Sequence, residues 1–198
     1  MNKSLIFLIT VIGIFYIFFR EGEVSYGPGV FAAEIPIQGM PLSTSPFPFG
    51  GYSITPLASF ELKAKVLSKK NYSFGREADL SSTDLTLGWG RMSDEAILKT
   101  MDISQSNRWY HWQTEELLIP RSEISQTSAN MHMIPADDLI RSQLKRVRKG
   151  DIVSIRGSLV RVDGDNGWRW RSSLTRNDTG GGACELVYVD SLYIESIN

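Results

Sequence analysis

Apolar residues recur at two spacings along this chain, and the switch between them marks out its elements. From Phe60 the side chains of Phe60, Leu62, Ala64 and Val66 alternate with Glu61, Lys63 and Lys65, a period of two that predicts a strand with one dry face. Leu85 and Leu87, behind Ser81 or Ser82 and ahead of Gly88 and Gly90, fit a short capped helical turn. A second short helix is predicted with Ser93 as its cap, Asp94 and Glu95 at the positive end of its dipole, and Ile97, Leu98 and Met101 on its apolar side. Arg108-Trp109-Tyr110-His111-Trp112 is aromatic enough for a buried strand.

Every local signal agrees on a helix after Pro135, a residue suited to the first helical position. Asp137 and Asp138 load the first turn, Ile140, Leu144 and Val147 form the stripe, and Lys145, Arg146, Arg148 and Lys149 crowd the end before Gly150. Three strands follow: Ile152 to Val162 with a bulge at Gly157, Trp168 to Leu174, and Cys184 to Ile194 broken near Asp190. Asp163-Gly164-Asp165-Asn166-Gly167 joins the first two as a hairpin. The pattern predicts an α+β domain with a curled, mostly antiparallel sheet, a partial barrel, and a few short helices on one side or end.

The N-terminal run is of another kind. Leu5 to Phe19 carries no charge, and at 1.5 Å per residue it reaches about 22 Å against a ~30 Å hydrocarbon layer. A cleaved leader and an uncleaved anchor both suit that length, and both send the remainder across a membrane. Arg20, Glu21, Gly22 and Glu23 follow instead of a peptidase site, and the first small-residue site, Val30-Phe31-Ala32 or Ala33, comes far too late. The favoured reading is a transmembrane signal anchor over residues 1–20 with a cytoplasmic N-terminus, although Lys3 and the terminal amine nearly balance Arg20. It puts a single-pass protein in the inner (plasma) membrane with most of the chain extracytoplasmic. Residues 21–51, rich in Gly, Pro and Ser, read as a semi-extended linker that lifts the domain off the bilayer. Phe47, Phe49 and Tyr52 are its first points of packing.

Composition changes this picture little. With 42% hydrophobic and 22% charged residues and a net charge of −1, residues 52–198 read as one globular domain with room for a core. Cys184 is the only cysteine, so an exported domain must be held by packing rather than by an internal disulfide. The neutral balance argues against nucleic acid as the partner. No spacing of His, Cys or carboxylates makes a metal site, Asp163 and Asp165 read as turn residues, and no cofactor is implied. The Lys145 to Lys149 cluster has a use at a helix C-terminus and is also of a kind that touches anionic lipid.

Three groups could carry chemistry. Cys184 with His132 would make a nucleophile and base if the fold joins them, and a free cysteine is also a small apolar residue at the start of a strand. Asp178-Thr179-Gly180 is the aspartic-peptidase tripeptide, but Thr175-Arg176-Asn177 precedes it in place of an apolar strand, which favours a polar turn with Gly180, Gly181 and Gly182 as a weak anion nest. In Trp168-Arg169-Trp170-Arg171-Ser172-Ser173 the alternation sets two tryptophans against two arginines on opposite faces. With Arg108, Trp109 and Trp112 this strand would build a surface for carbohydrate, a peptide, an anionic head group or a single-stranded nucleic acid. Core packing of the tryptophans and ion pairing of the arginines compete with that use.

Leu87-Gly88-Trp89-Gly90 with Met92-Ser93-Asp94, Ser128-Ala129-Asn130-Met131-His132 with Ile134-Pro135-Ala136, Gly150-Asp151 leading into Gly157-Ser158-Leu159-Val160, and Trp168 to Arg176 through Gly182-Ala183-Cys184-Glu185 resemble a group of bacterial proteins. The resemblance covers most of Tyr52 to Val189. It implies a membrane-anchored, exported domain of the cell envelope and brings no established activity, so it assigns no catalytic role. Two functions stay open. One is an extracytoplasmic domain that binds an envelope protein or ligand through Asn130, Trp168, Arg169, Trp170, Arg171, Ser172, Ser173 and Arg176. The other is a hydrolase or transferase using His132 with Cys184 or Asp178, assisted by Asn130 and Arg176.

Overall fold

The structure is a computed structural model that describes residues 22–175 and 184–195. The expected anchor, together with Arg176 and Asp178, lies outside the described residues. Among the described residues no helix is long and apolar enough to cross a membrane.

The alternation from Phe60 belongs to a strand longer than its pattern, β3 (Tyr52–Asn71). One of its edges pairs along its length with β8 (Ile152–Asp163), antiparallel from Ser53↔Asp163 to Lys65↔Ile152. The far end of its other edge pairs with β4 (Thr83–Gly88). β4 pairs with β7 (Ser128–Pro135), β7 pairs in parallel with β10 (Glu185–Ile194), and β10 pairs with β8. The hydrogen-bonded order therefore closes into a ring, β3-β4-β7-β10-β8-β3. The predicted α+β class and curled, mostly antiparallel sheet are what the structure shows.

Alternate residues of all five ring strands point inward. Phe60, Leu62, Leu85, Leu87, Met131, Val153, Ile155 and Val187 meet in one buried cluster, each such side chain contributing about 1.5–3 kcal/mol by leaving water. The helix expected after Pro135, Asp138–Arg146, closes one end with Ile140, Leu144 and Val147 in that cluster. Its cap is Asp137, whose Oδ1 accepts from the Ile140 amide at 2.8 Å, and Pro135 stays in β7. Gly157 pairs in register with Phe60 and Val189. It is needed for closeness rather than for a bulge: a Cβ there would lie 2.0 Å from the Tyr188 carbonyl oxygen. The break in β10 falls between Val189 and Ser191.

Several expectations need correcting. Leu85 and Leu87 lie on strand β4, because Thr83, Leu85 and Leu87 alternate with Asp84 and Thr86 and pairing on both edges outweighs a serine cap. The short helix in that stretch, α1 (Arg76–Leu80), precedes it. In α2 (Glu95–Leu98) the cap is Asp94, which accepts from the Ala96 amide; the Ser93 hydroxyl bonds the Gly90 carbonyl. Met101 opens β5 (Met101–Ser106), which forms a separate hairpin with β6 (Trp109–Thr114). The Arg108 to Trp112 stretch is thus no buried strand: half of it faces solvent. The strand expected over 168–174 is β9 (Arg169–Arg171), antiparallel to β8.

The expected linker packs on the barrel. β1 (Ile37–Gly39) and β2 (Phe47–Phe49) pair with β3, and Val24 and Ala32 are buried. Proline density kept the segment from showing a period, since its contacts are single anchors rather than a stripe.

Candidate functional site

Asp84 and Thr86 of β4 and Ser128, Asn130 and His132 of β7 face outward, and they carry the β5–β6 hairpin. Its two-residue turn is Asn107-Arg108, at φ 50° and 68°, a left-handed conformation that costs a non-glycine residue about 1 kcal/mol or more. Three groups grip the Arg108 main chain. Its carbonyl accepts from Asn130 Nδ2 at 2.9 Å and from the Cys184 thiol at 3.8 Å, and its amide donates to the Tyr72 hydroxyl at 3.1 Å. Gln105 donates to Asn130 Oδ1 at 2.6 Å, and the Tyr110 hydroxyl meets Ser128 Oγ at 2.9 Å.

The Arg108 side chain turns inward to a carboxylate. Asp84 is fully buried, and its Oδ1 accepts from Arg108 Nη1 at 2.7 Å. His132, also buried, stands on the paired strand with Nδ1 3.0 Å from the same oxygen. That contact is close in distance but out of line for a hydrogen bond, which leaves His132 Nδ1 buried without a hydrogen-bonded partner among the described residues; Asp84 Oδ2 is likewise without one. Above this group the Arg108 guanidinium lies 4.0 Å from the Tyr72 ring centre and 5.6 Å from that of Trp170. The His132 and Trp170 rings are 4.9 Å apart.

The stack continues along the rim. Trp168 lies 6.4 Å from Trp170 and 5.7 Å from Tyr52, and Arg76 sits 5.3 Å over Trp168. Phe74, two residues before Arg76, is 92% exposed. The tryptophans are half-buried on a second cluster with Val160, Val162, Ile134 and Leu186. As the alternation requires, Arg169 and Arg171 take the other face of β9. Arg169 and Arg161 each bond one oxygen of Asp163 at 2.7 Å; the Arg169 bond leads in holding that carboxyl below its usual range.

Of the expected site residues, Asn130, His132, Trp170 and Cys184 come together around Arg108. Ser172 and Ser173 are buried in the joint between β9 and β10, where Ser172 Oγ accepts from the Leu186 amide and the Ser173 amide donates to the Cys184 carbonyl. Two clefts open elsewhere. One of about 450 Å³ is bounded by Lys65, Glu95, Lys149 and Gly150, and one of about 620 Å³ by Phe47, Phe60, Arg156 and Tyr188. Neither is lined by His132 or Cys184. Among the described residues no group of three or more His, Cys, Asp or Glu side chains could hold a metal ion.

Comparison of the chain with protein-family models, with curated proteins and with solved structures finds no match. Sequence reasoning missed Asp84, Tyr72 and Gln105. Asp84 had a signal, a carboxylate between two residues that alternate inward, but the helical reading of that stretch hid it.

Proposed function

We propose that this chain is a membrane-anchored, extracytoplasmic domain of the cell envelope that binds an anionic ligand with exposed ring faces, an acidic saccharide above all. Binding would take place on the rim of Tyr72, Phe74, Arg76, Arg108, Trp168 and Trp170. One observation carries this reading. Asn130 and Cys184 hold the hairpin turn in place, with His132 buried beside Asp84 beneath it, while the aromatic and guanidinium groups above them keep a face in solvent. Aromatic faces flanked by arginines grip rings and negative charge together. As an analogy of connectivity alone, OB-type barrels use the face and loops equivalent to β4, β7 and their neighbours to hold oligosaccharides or oligonucleotides. The chain's near-neutral charge favours the saccharide.

Titrating the protein with oligogalacturonate, a neutral cello-oligosaccharide and oligothymidylate, and following tryptophan fluorescence, tests the reading. Saturable binding of the acidic saccharide, weakened in Arg76→Gln, supports it. Preference for the neutral sugar or the oligonucleotide corrects the ligand, and no response to any of them overturns the site. The alternative, a hydrolase or transferase with His132 as base and Cys184 or Asp178 as nucleophile, is favoured by the Asp84 oxygen beside His132. With Cys184 as the nucleophile it requires a fast-alkylating thiol whose rate drops in His132→Ala.

A further inference from the structure

We propose that the domain lies directly on the bilayer, with the basic end of the barrel around the C-terminus of the 138–146 helix set against anionic phospholipid head groups. This rests on the anchor reading above. It follows from where the chain is fastened.

The strap that leaves the apolar run docks almost at once. Val24 is buried and its amide donates to the Lys149 carbonyl at 2.9 Å. The Val24 carbonyl lies so close to Gly150, itself at φ 91°, that a Cβ there would stand 1.8 Å from the oxygen. No side chain fits between them, so the joint is a direct contact of two backbones. Five peptide steps separate Phe19 from Val24, at most about 18 Å of chain. With the apolar run in the hydrocarbon, a head-group layer of about 5–8 Å takes up part of that reach, so Val24 stands at most about 13 Å beyond the lipid surface. The residues around Val24 are therefore held within about the range over which the charge of the lipid surface acts.

Those residues are cationic. Lys145, Arg146, Arg148 and Lys149 are all exposed. Lys69 joins them, its Nζ tied to the carbonyls of Lys145 and Val147 at 2.7 and 2.8 Å. The acids among them are Asp151, held by Arg148 at 3.4 Å, and Glu23, paired with Lys149 at 3.1 Å. Lys145 and Arg146 have no acidic partner among the described residues. Five cations against two carboxylates, on a chain whose net charge is −1, exceed what one helix end needs. An anionic membrane is the partner that both the short tether and this excess fit.

The test uses the full-length chain reconstituted in vesicles of phosphatidylcholine alone and of phosphatidylcholine with phosphatidylglycerol. Flotation reads membrane attachment, and mass spectrometry after amine acetylation reads each lysine. Lys145 and Lys149 are expected to react about fivefold more slowly on the phosphatidylglycerol vesicles. The difference should vanish in high salt and, read at Lys149, in Lys145→Glu/Arg146→Glu, a pair of exposed changes that spares the core. Chain that floats with equal labelling on both vesicles overturns the proposal and leaves the anchor standing. Chain that does not float overturns both. Equal protection on phosphatidylcholine vesicles given soluble glycerol phosphate would mean a phosphate site rather than a lipid surface, and would also overturn the proposal.

Discussion

Two segments outside the barrel are fastened to it through buried ion pairs, and the fastenings differ in how completely their polar atoms are bonded. Under the strap, Glu95 accepts from Lys65 Nζ at 2.9 Å, from Ser25 Oγ at 2.6 Å and from the amides of Tyr26 and Gly27 at 2.7 and 3.2 Å. The Lys65 ammonium also lies 5.0 Å from the Tyr26 ring centre. Burial by itself raises the pKa of Glu95, and the hydrogen bonds from Ser25, Lys65 and Tyr26 together bring it down to about 2. Under the hairpin turn, Asp84 has one oxygen shared by Arg108 and His132 and another with no partner among the described residues. A complete lock belongs to a part that stays put. An incomplete one, beside a half-exposed aromatic rim, fits the ligand site proposed there.

The sharpest way to break that contrast is Lys65→Met. It strands the Glu95 carboxylate in the interior and should cost about 3–5 kcal/mol, with early proteolysis in the strap. The double change Lys65→Met/Glu95→Leu should recover most of the loss, since removing both charges leaves nothing unpaired. Denaturant midpoints measure both. A single-mutant cost below 1 kcal/mol would mean that the strap is held by something else.

Acid acts on the same lock with a somewhat smaller effect. The folded pKa of Glu95 lies below its ordinary 4.5, so its contribution is full above about pH 4.5 and is lost as pH falls toward 2. The loss is on the order of 3 kcal/mol. Ser25→Ala should flatten this acid limb, which unfolding curves between pH 2 and 5 read directly. Asp84→Asn should cost less, about 1–3 kcal/mol, because it removes one charge-assisted bond from a site already short of them. Its effect should be local, with faster amide exchange at Asn107 and Arg108 and little change in the strap. A cost equal to that of Lys65→Met would erase the distinction between the two fastenings.

Much of the barrel was legible because strand alternation and helix caps are local. Phe60 to Val66, the helix after Pro135, the 163–167 turn and the break at Asp190 each depend on neighbours a few residues away. What escaped depends on distant partners. Leu85 and Leu87 alone suit a turn as well as a strand, and only the edges of β3 and β7 decide between them. The strap hid for the same reason: its anchors, Glu95 for Tyr26 and Gly150 for Val24, stand 69 and 126 positions away. At the rim the sequence gathered Asn130, His132, Trp170 and Cys184 by residue type. It had no means of foreseeing that a hairpin turn would occupy the space between them.

The smallest expected effect on stability tests the rim most cleanly. Phe74 is almost wholly exposed and follows the end of β3, so Phe74→Ser should change the unfolding free energy by no more than about 0.5 kcal/mol. If the rim binds rings, the same change should weaken oligogalacturonate about tenfold, the effect of losing one stacking face. Binding lost at unchanged stability separates a ligand contact from a packing contact, since the half-buried Trp168 and Trp170 would lose both together. A Phe74→Ser protein that binds as the parent does would take Phe74 out of the rim and leave recognition to Arg76, Arg108 and the two tryptophans. Asp84, whose Oδ1 holds the Arg108 guanidinium, would then be the next residue to change, and Asp84→Asn should alter affinity along with Arg76→Gln.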